Sequence, residues 1–190
     1  MITYVSQYIT NHFLCETDTD ELTRAKICYG LTVLIYNVVT ISGILILSFL
    51  FQMLPQTCLF LAAFGLLRIS AGGFHCNSYA RCFVLTSMII LGGAYIANQI
   101  PVLPRYLLLI LYPVMFLIGR NPVSRDRAGR VYSRSQLKRK RNETILLLFI
   151  YEILSLIYHT SIGKYITIAA VAAMFLLLPS HISRKPCQNQ

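Results

Sequence analysis

The sequence predicts an all-α protein, a polytopic integral membrane bundle, and two observations carry that reading. Apolar residues make up 56% of the chain and charged residues 13%, a balance remote from that of a soluble domain. Ile27 to Leu67 run for 41 positions without a charged side chain, broken only around Gln52, Pro55 and Gln56. A helix crosses the hydrocarbon core in about 20 apolar residues, so this run is expected to hold two spans joined by a tight turn.

The elements follow in order. Thr3 to Phe13 place Val5, Tyr8, Ile9, His12 and Phe13 at helical spacing, which suits an amphipathic helix lying in the interface, with a short unstructured tail as the competing reading. Spans are expected near residues 31–51 and 54–70. The uncharged stretches Phe83–Pro104 and Tyr106–Gly119, with Pro101 and Pro104 at the turn, predict spans near 83–100 and 105–119. A polar segment then precedes spans near 144–161 and 165–178, separated by Gly163 and Lys164. Residues 1–190 thus read as a single membrane-embedded domain with about six transmembrane helices.

Charge sets the expected orientation, because basic loops are retained on the cytoplasmic side. Six spans threaded from a cytoplasmic N-terminus put fifteen of the seventeen basic residues inside and leave Arg105 and Lys164 outside. An acidic cluster, Glu16, Asp18, Asp20 and Glu21, lies ahead of the first span where a secretory signal would carry positive charge, so the first span is expected to stay in the mature protein. Nine basic residues against the single acid Asp126 fall between Arg120 and Arg141. Flanked by spans, residues 120–141 read as a topology determinant touching anionic lipid headgroups, not as a nucleic-acid site, and an acidic peptide is a second candidate partner. Of the six cysteines, Cys28 and Cys58 lie in or beside spans, and Cys15, Cys76, Cys82 and Cys187 lie on the expected reducing side. Reduced thiols are therefore expected.

Chemistry concentrates in Arg68 to Cys82, RISAGGFHCNSYARC, a short polar break between apolar runs. A cysteine attacks as the thiolate, and a helix N-terminus or a neighbouring cation lowers its pKa from the free value of about 8.5. Cys82 directly precedes the expected start of a span and adjoins Arg81. Cys58, in apolar surroundings, is expected to be inert. His75 would take the thiol proton and later protonate a leaving amine. On one straight helix their separation of seven positions amounts to roughly 10.5 Å of rise, too far for a hydrogen bond, so a helix break is expected, with Asn77 and Ser78 suited to a turn or N-cap. Gly72 and Gly73 could offer backbone amides to a developing oxyanion, or serve only a plain interhelical turn. A structural role for the His75 and Cys82 pair, and zinc ligation by His75, Cys76 and Cys82 with no close fourth ligand, are the other readings of the same residues.

At these residues the chain resembles the AgrB family, the integral membrane endopeptidases of Gram-positive bacteria that process the AgrD peptide precursor in quorum sensing. The resemblance rests on the arginine, the Gly-Gly turn, the histidine and the cysteine that follows it after six intervening residues. It extends to Tyr29–Asn37, YGLTVLIYN, and to the basic loop with Asn121-Pro122. It departs at Thr32, where relatives often carry Gln or Glu, and after Pro122, where a second proline is expected. By this resemblance His75 and Cys82 are the catalytic pair of a cysteine endopeptidase. Cys82 would release the precursor's C-terminal tail and form a thioester, from which a thiolactone or lactone ring closes. The implied partners are an AgrD-like precursor peptide and, as an option left open, a second copy of the chain; no cofactor, metal or nucleic acid is implied.

The alternative from another class is a small membrane transporter or channel, with Glu152, Asn98 and Arg105 lining a path. Glu152 falls mid-span, where an ionisable side chain is costly, and pairing with a polar group such as Asn98 is the expected way to hold it. A scaffold with no chemistry is the third reading.

Overall fold

The computed structural model describes residues 8, 12, 20–72, 79–121, 132–158 and 162–177. These form six α-helices and no strand: α1 (Glu21–Leu50), α2 (Leu54–Ala71), α3 (Tyr79–Gln99), α4 (Arg105–Gly119), α5 (Arg134–Ile157) and α6 (Ile162–Phe175). Thr23–Leu50, Leu54–Ala71 and Tyr79–Gln99 are long and apolar enough to cross a membrane. At 1.5 Å per residue α4 and α6 reach only about 22 Å, short of a core of ~30 Å. The chain divides into two compact units, Met1–Leu47 and Ser48–Gln190.

In the first unit, α1 begins about ten residues before the span expected at residue 31, taking Arg24 and Lys26 into the helix. Glu21 stands in its first turn, where an acid meets the positive end of the helix dipole. Thr32 returns its hydroxyl to the Cys28 carbonyl at 2.8 Å, one turn back on its own helix. Of the expected interfacial helix, Tyr8 and His12 are helical, and their rings stack within 4° of parallel one turn apart. The rest of that segment lies outside the described residues.

In the second unit, α1 closes with a Schellman turn: Met53 N donates to Ser48 O at 2.9 Å and Gln52 N to Phe49 O at 3.0 Å. Gln52 takes the left-handed conformation this turn needs (φ 55°), where glycine is the usual occupant. Pro55 then sits in the first turn of α2, where its missing N–H costs nothing.

The short helix α6 is the hub of this unit and packs against α2, α3, α4 and α5. Gly163, Tyr165, Ile166, Thr167, Ala169, Ala170, Ala173 and Met174 are all buried. Small side chains let neighbouring backbones come close, the usual basis of helix packing in lipid. Gly163 is the tightest point, since a Cβ there would stand 2.8 Å from the Tyr158 carbonyl and 2.9 Å from Ser155 backbone atoms. Gly163 and Lys164, expected as a loop, therefore belong to the first turn of α6.

Several polar side chains inside the bundle form hydrogen bonds across helices. Tyr112 on α4 meets Ser155 on α5 at 2.9 Å, and Thr167 on α6 lies 3.0 Å from the same hydroxyl while donating to the Gly163 carbonyl at 2.9 Å. Tyr151 donates to the Ala63 carbonyl of α2 at 2.9 Å.

Helix α5 departs most from expectation. It starts at Arg134, ten residues before the span expected at 144, so the second half of the expected basic loop is helical. Ser133 Oγ accepts from Gln136 N at 3.3 Å while Gln136 Oε1 accepts from Ser133 N at 3.0 Å, a capping box that supplies the start.

Two substitutions test these packing arguments by thermal unfolding in detergent. Gln52→Gly is expected to stabilise the protein by about 1 kcal/mol, because it removes the left-handed strain. Gly163→Val should destabilise it by on the order of 3 kcal/mol, since backbone atoms have no room to retreat.

Candidate functional site

Helix α2 stops at Ala71 because Gly72 turns the chain with φ 80° and ψ −159°, a backbone region that is essentially glycine's own. The Gly72 amide donates to Arg68 O at 3.0 Å. That bond spends the amide on closing the helix, the interhelical-turn role expected of these glycines as one of two readings. Among the described residues, helix α3 runs from Tyr79. Gly73, His75, Cys76, Asn77 and Ser78 lie outside the described residues.

Cys82 is the fourth residue of α3, three residues inside the helix start expected beside it. It falls in the first turn of the helix, at the positive end of the dipole. Its side chain is 6% exposed, and its thiol is reduced. Helical register locates it against α2. The ring of Phe60 on α2 fills the space a Cβ on Gly93 would take, so Gly93 marks the face of α3 turned to α2. Counting back from Gly93 to Cys82 covers three turns, which returns to within about 20° of that face. The same count forward along antiparallel α2, from Phe60, leads to Ala71. Cys82 is thus level with the last turn of α2, where Ala71 is 2% exposed.

Charged groups gather at the same end. The Arg68 guanidinium lies 5.9 Å from the Phe64 ring centroid, and Arg81 is exposed on α3. Lys140 of α5 reaches across to α2, its Nζ 3.3 Å from the Ile69 carbonyl and 4.9 Å from the centroid of the Tyr132 ring. Arg139, one position earlier, spends its charge on Glu143 of its own helix at 2.7 Å. Sequence reasoning treated these residues alike as one basic loop. The Ser133 and Gln136 box was the available signal that they begin a helix, with Lys140 and Arg139 on different faces.

The residues of the transport reading are not brought together. Asn98 Oδ1 accepts from Tyr165 OH at 3.1 Å, which corrects the expected pairing of Asn98 with Glu152. Glu152 is half-buried and forms no hydrogen bond or ion pair among the described residues, and Arg105 is exposed at the start of α4. Among the described residues no three of His, Cys, Asp and Glu cluster as metal ligands.

An all-helical membrane protein with a buried thiol at a helix start, a glycine-closed helix before it and basic residues on the neighbouring helix ends is a narrow class. The chain belongs to the Accessory gene regulator B (AgrB) family, whose model matches residues 2–178. It is 29% identical over 80 residues to an AgrB-like protein of Clostridium acetobutylicum, a match covering 42% of this chain and 37% of that protein's length. It is 26% identical over 138 residues to an AgrB-like protein of Lactiplantibacillus plantarum, covering 71% of this chain and 68% of the relative. No solved structure matches the chain.

Gly72→Ala tests the turn that opens the site. The substitution should cost about 1–3 kcal/mol of stability, read as a lowered unfolding midpoint, because a side chain is strained at this φ and ψ.

Proposed function

We propose that the protein is a membrane cysteine endopeptidase that removes the C-terminal tail of an AgrD-like precursor and helps close the remaining peptide into a ring. Family membership, together with a buried Cys82 in the first turn of a helix that follows directly on the segment holding His75, carries this reading. The Cys82 thiolate, formed as His75 takes its proton, attacks the scissile carbonyl. The carbon–nitrogen bond breaks, the imidazolium gives its proton to the leaving amine, and a thioester joins enzyme and peptide. A cysteine or serine within the peptide then attacks that thioester, forming the thiolactone or lactone and returning Cys82 as thiol. With the Gly72 amide committed to Arg68, the oxyanion donor is assigned to the Gly73 amide. Burial of Cys82 favours an internal peptide nucleophile over bulk water.

On this reading the chain crosses the bacterial cell membrane six times, with the bilayer thinned around the short α4 and α6, and both termini and the His75 segment are cytoplasmic. The antiparallel succession of α2 to α6 supports alternation, and the basic residues near the site support the orientation. Residues 120–141 meet anionic lipid headgroups on that side.

The test is co-expression with a tagged AgrD-type precursor, followed by gel and mass spectrometry. Cys82→Ala and His75→Ala should each lower cleavage on the order of a thousandfold or more, with the protein still in the membrane. Unchanged processing in either variant removes the proposal.

A further inference from the structure

We propose that the first turns of α5 carry a binding surface for an acidic peptide, formed by Arg134, Lys138 and Arg141. The surface is separate from Cys82 and does not rest on the protease reading.

Four and then three positions separate these residues, so at 100° per residue all three fall within about 60° of one another and form one stripe along the helix. Their side chains are exposed, and none forms a hydrogen bond or ion pair among the described residues. Nearby charges are spent. Arg139 is bonded to Glu143 at 2.7 Å, and Lys140 is turned to the Ile69 carbonyl of α2 and the Tyr132 ring. The stripe keeps its three positive charges, at steps of roughly 6 and 4.5 Å along the axis. The Ser133 and Gln136 capping box holds the helix at this end, which fixes their spacing.

The direction of the stripe decides what it fits. Charge ends at Glu143, and the fully buried Thr144 begins the uncharged stretch that enters the bilayer. At 1.5 Å per residue Arg141 stands about 4.5 Å above Thr144, Lys138 about 9 Å and Arg134 about 15 Å. The headgroup layer on one side of a bilayer is only about 5–7 Å deep. Lipid phosphates therefore reach Arg141, whereas Lys138 and Arg134 rise beyond that layer into water. A partner that meets all three must extend away from the membrane and carry an anion every 5–6 Å or so. Carboxylates at i, i+4 and i+7 of a peptide helix have that spacing, and the guanidinium groups at the two ends take carboxylates through paired hydrogen bonds.

The test uses the full chain in nanodiscs of zwitterionic phosphatidylcholine. The probe is a rhodamine-labelled, alanine-rich peptide with glutamates at i, i+4 and i+7, and its affinity is read by fluorescence anisotropy at low salt. Replacing the three glutamates by glutamine should weaken binding about tenfold, and so should the joint substitution Arg134→Gln, Lys138→Gln and Arg141→Gln, the effect expected of three exposed ion pairs. The triple variant changes exposed side chains and should keep the parent's unfolding midpoint. Arg139→Gln, which removes a charge already paired, should leave the affinity within about twofold of the parent. Unchanged affinity in either tenfold comparison overturns the proposal. An equal loss in Arg139→Gln does so too, because net charge alone would then be responsible. Nanodiscs containing phosphatidylglycerol test the remaining occupant: peptide binding should persist there, and its abolition would make the stripe a headgroup site and sink the proposal.

Discussion

Inside a bilayer no water is present to satisfy a broken backbone hydrogen bond, and this constraint governs the protein more than any single contact. It forces the chain into helices and confines irregular backbone to helix ends. Each described helix end shows how the constraint is met. The first helix closes by a Schellman turn on Gln52, α2 by the Gly72 amide and the Lys140 ammonium, and α3 by Lys164, whose Nζ lies 2.9 Å from the Ile100 carbonyl. Two lysines from α5 and α6 thus stand at the carbonyl ends of α2 and α3, at opposite ends of the bundle, each cation placed where the helix dipole favours it.

Association of these helices cannot draw on the hydrophobic effect, because lipid tails are as apolar as the side chains. The structure instead uses close approach and buried hydroxyls. The alanines of α6 and the bare Cα of Gly163 bring backbones together, and the Tyr112, Ser155 and Thr167 hydroxyls link α4, α5 and α6. Each such interhelical bond contributes only about 0.6 kcal/mol on average, so the cluster acts more through the single arrangement it permits than through strength.

The fold class was plain in the sequence because hydrophobic runs of this length have few other outcomes. Boundaries of α2 and α4 were legible to within a residue, marked by Pro55, Gly72 and Pro104. The start of α5 was not, because a basic stretch reads as a loop by composition, and only the spacing of Ser133 and Gln136 signals a cap. Nor was the central place of α6: a uniformly apolar segment has no face to betray its neighbours. Of the site, the end of α2 at Gly72 was readable from the glycine pair. The reach of Lys140 to Ile69 depends on tertiary geometry that no local pattern encodes.

The length of α5 has one more consequence. It runs some 36 Å at 1.5 Å per residue, and its first turns carry charges that hydrocarbon does not admit. Those turns must stay at the waterline, and Thr144, buried against the bundle just below them, ties that mark to the whole assembly. The protein therefore cannot ride higher or lower as the bilayer thickens or thins. The draught at which its thiol floats is set by a helix start some fifty residues downstream of it in the chain.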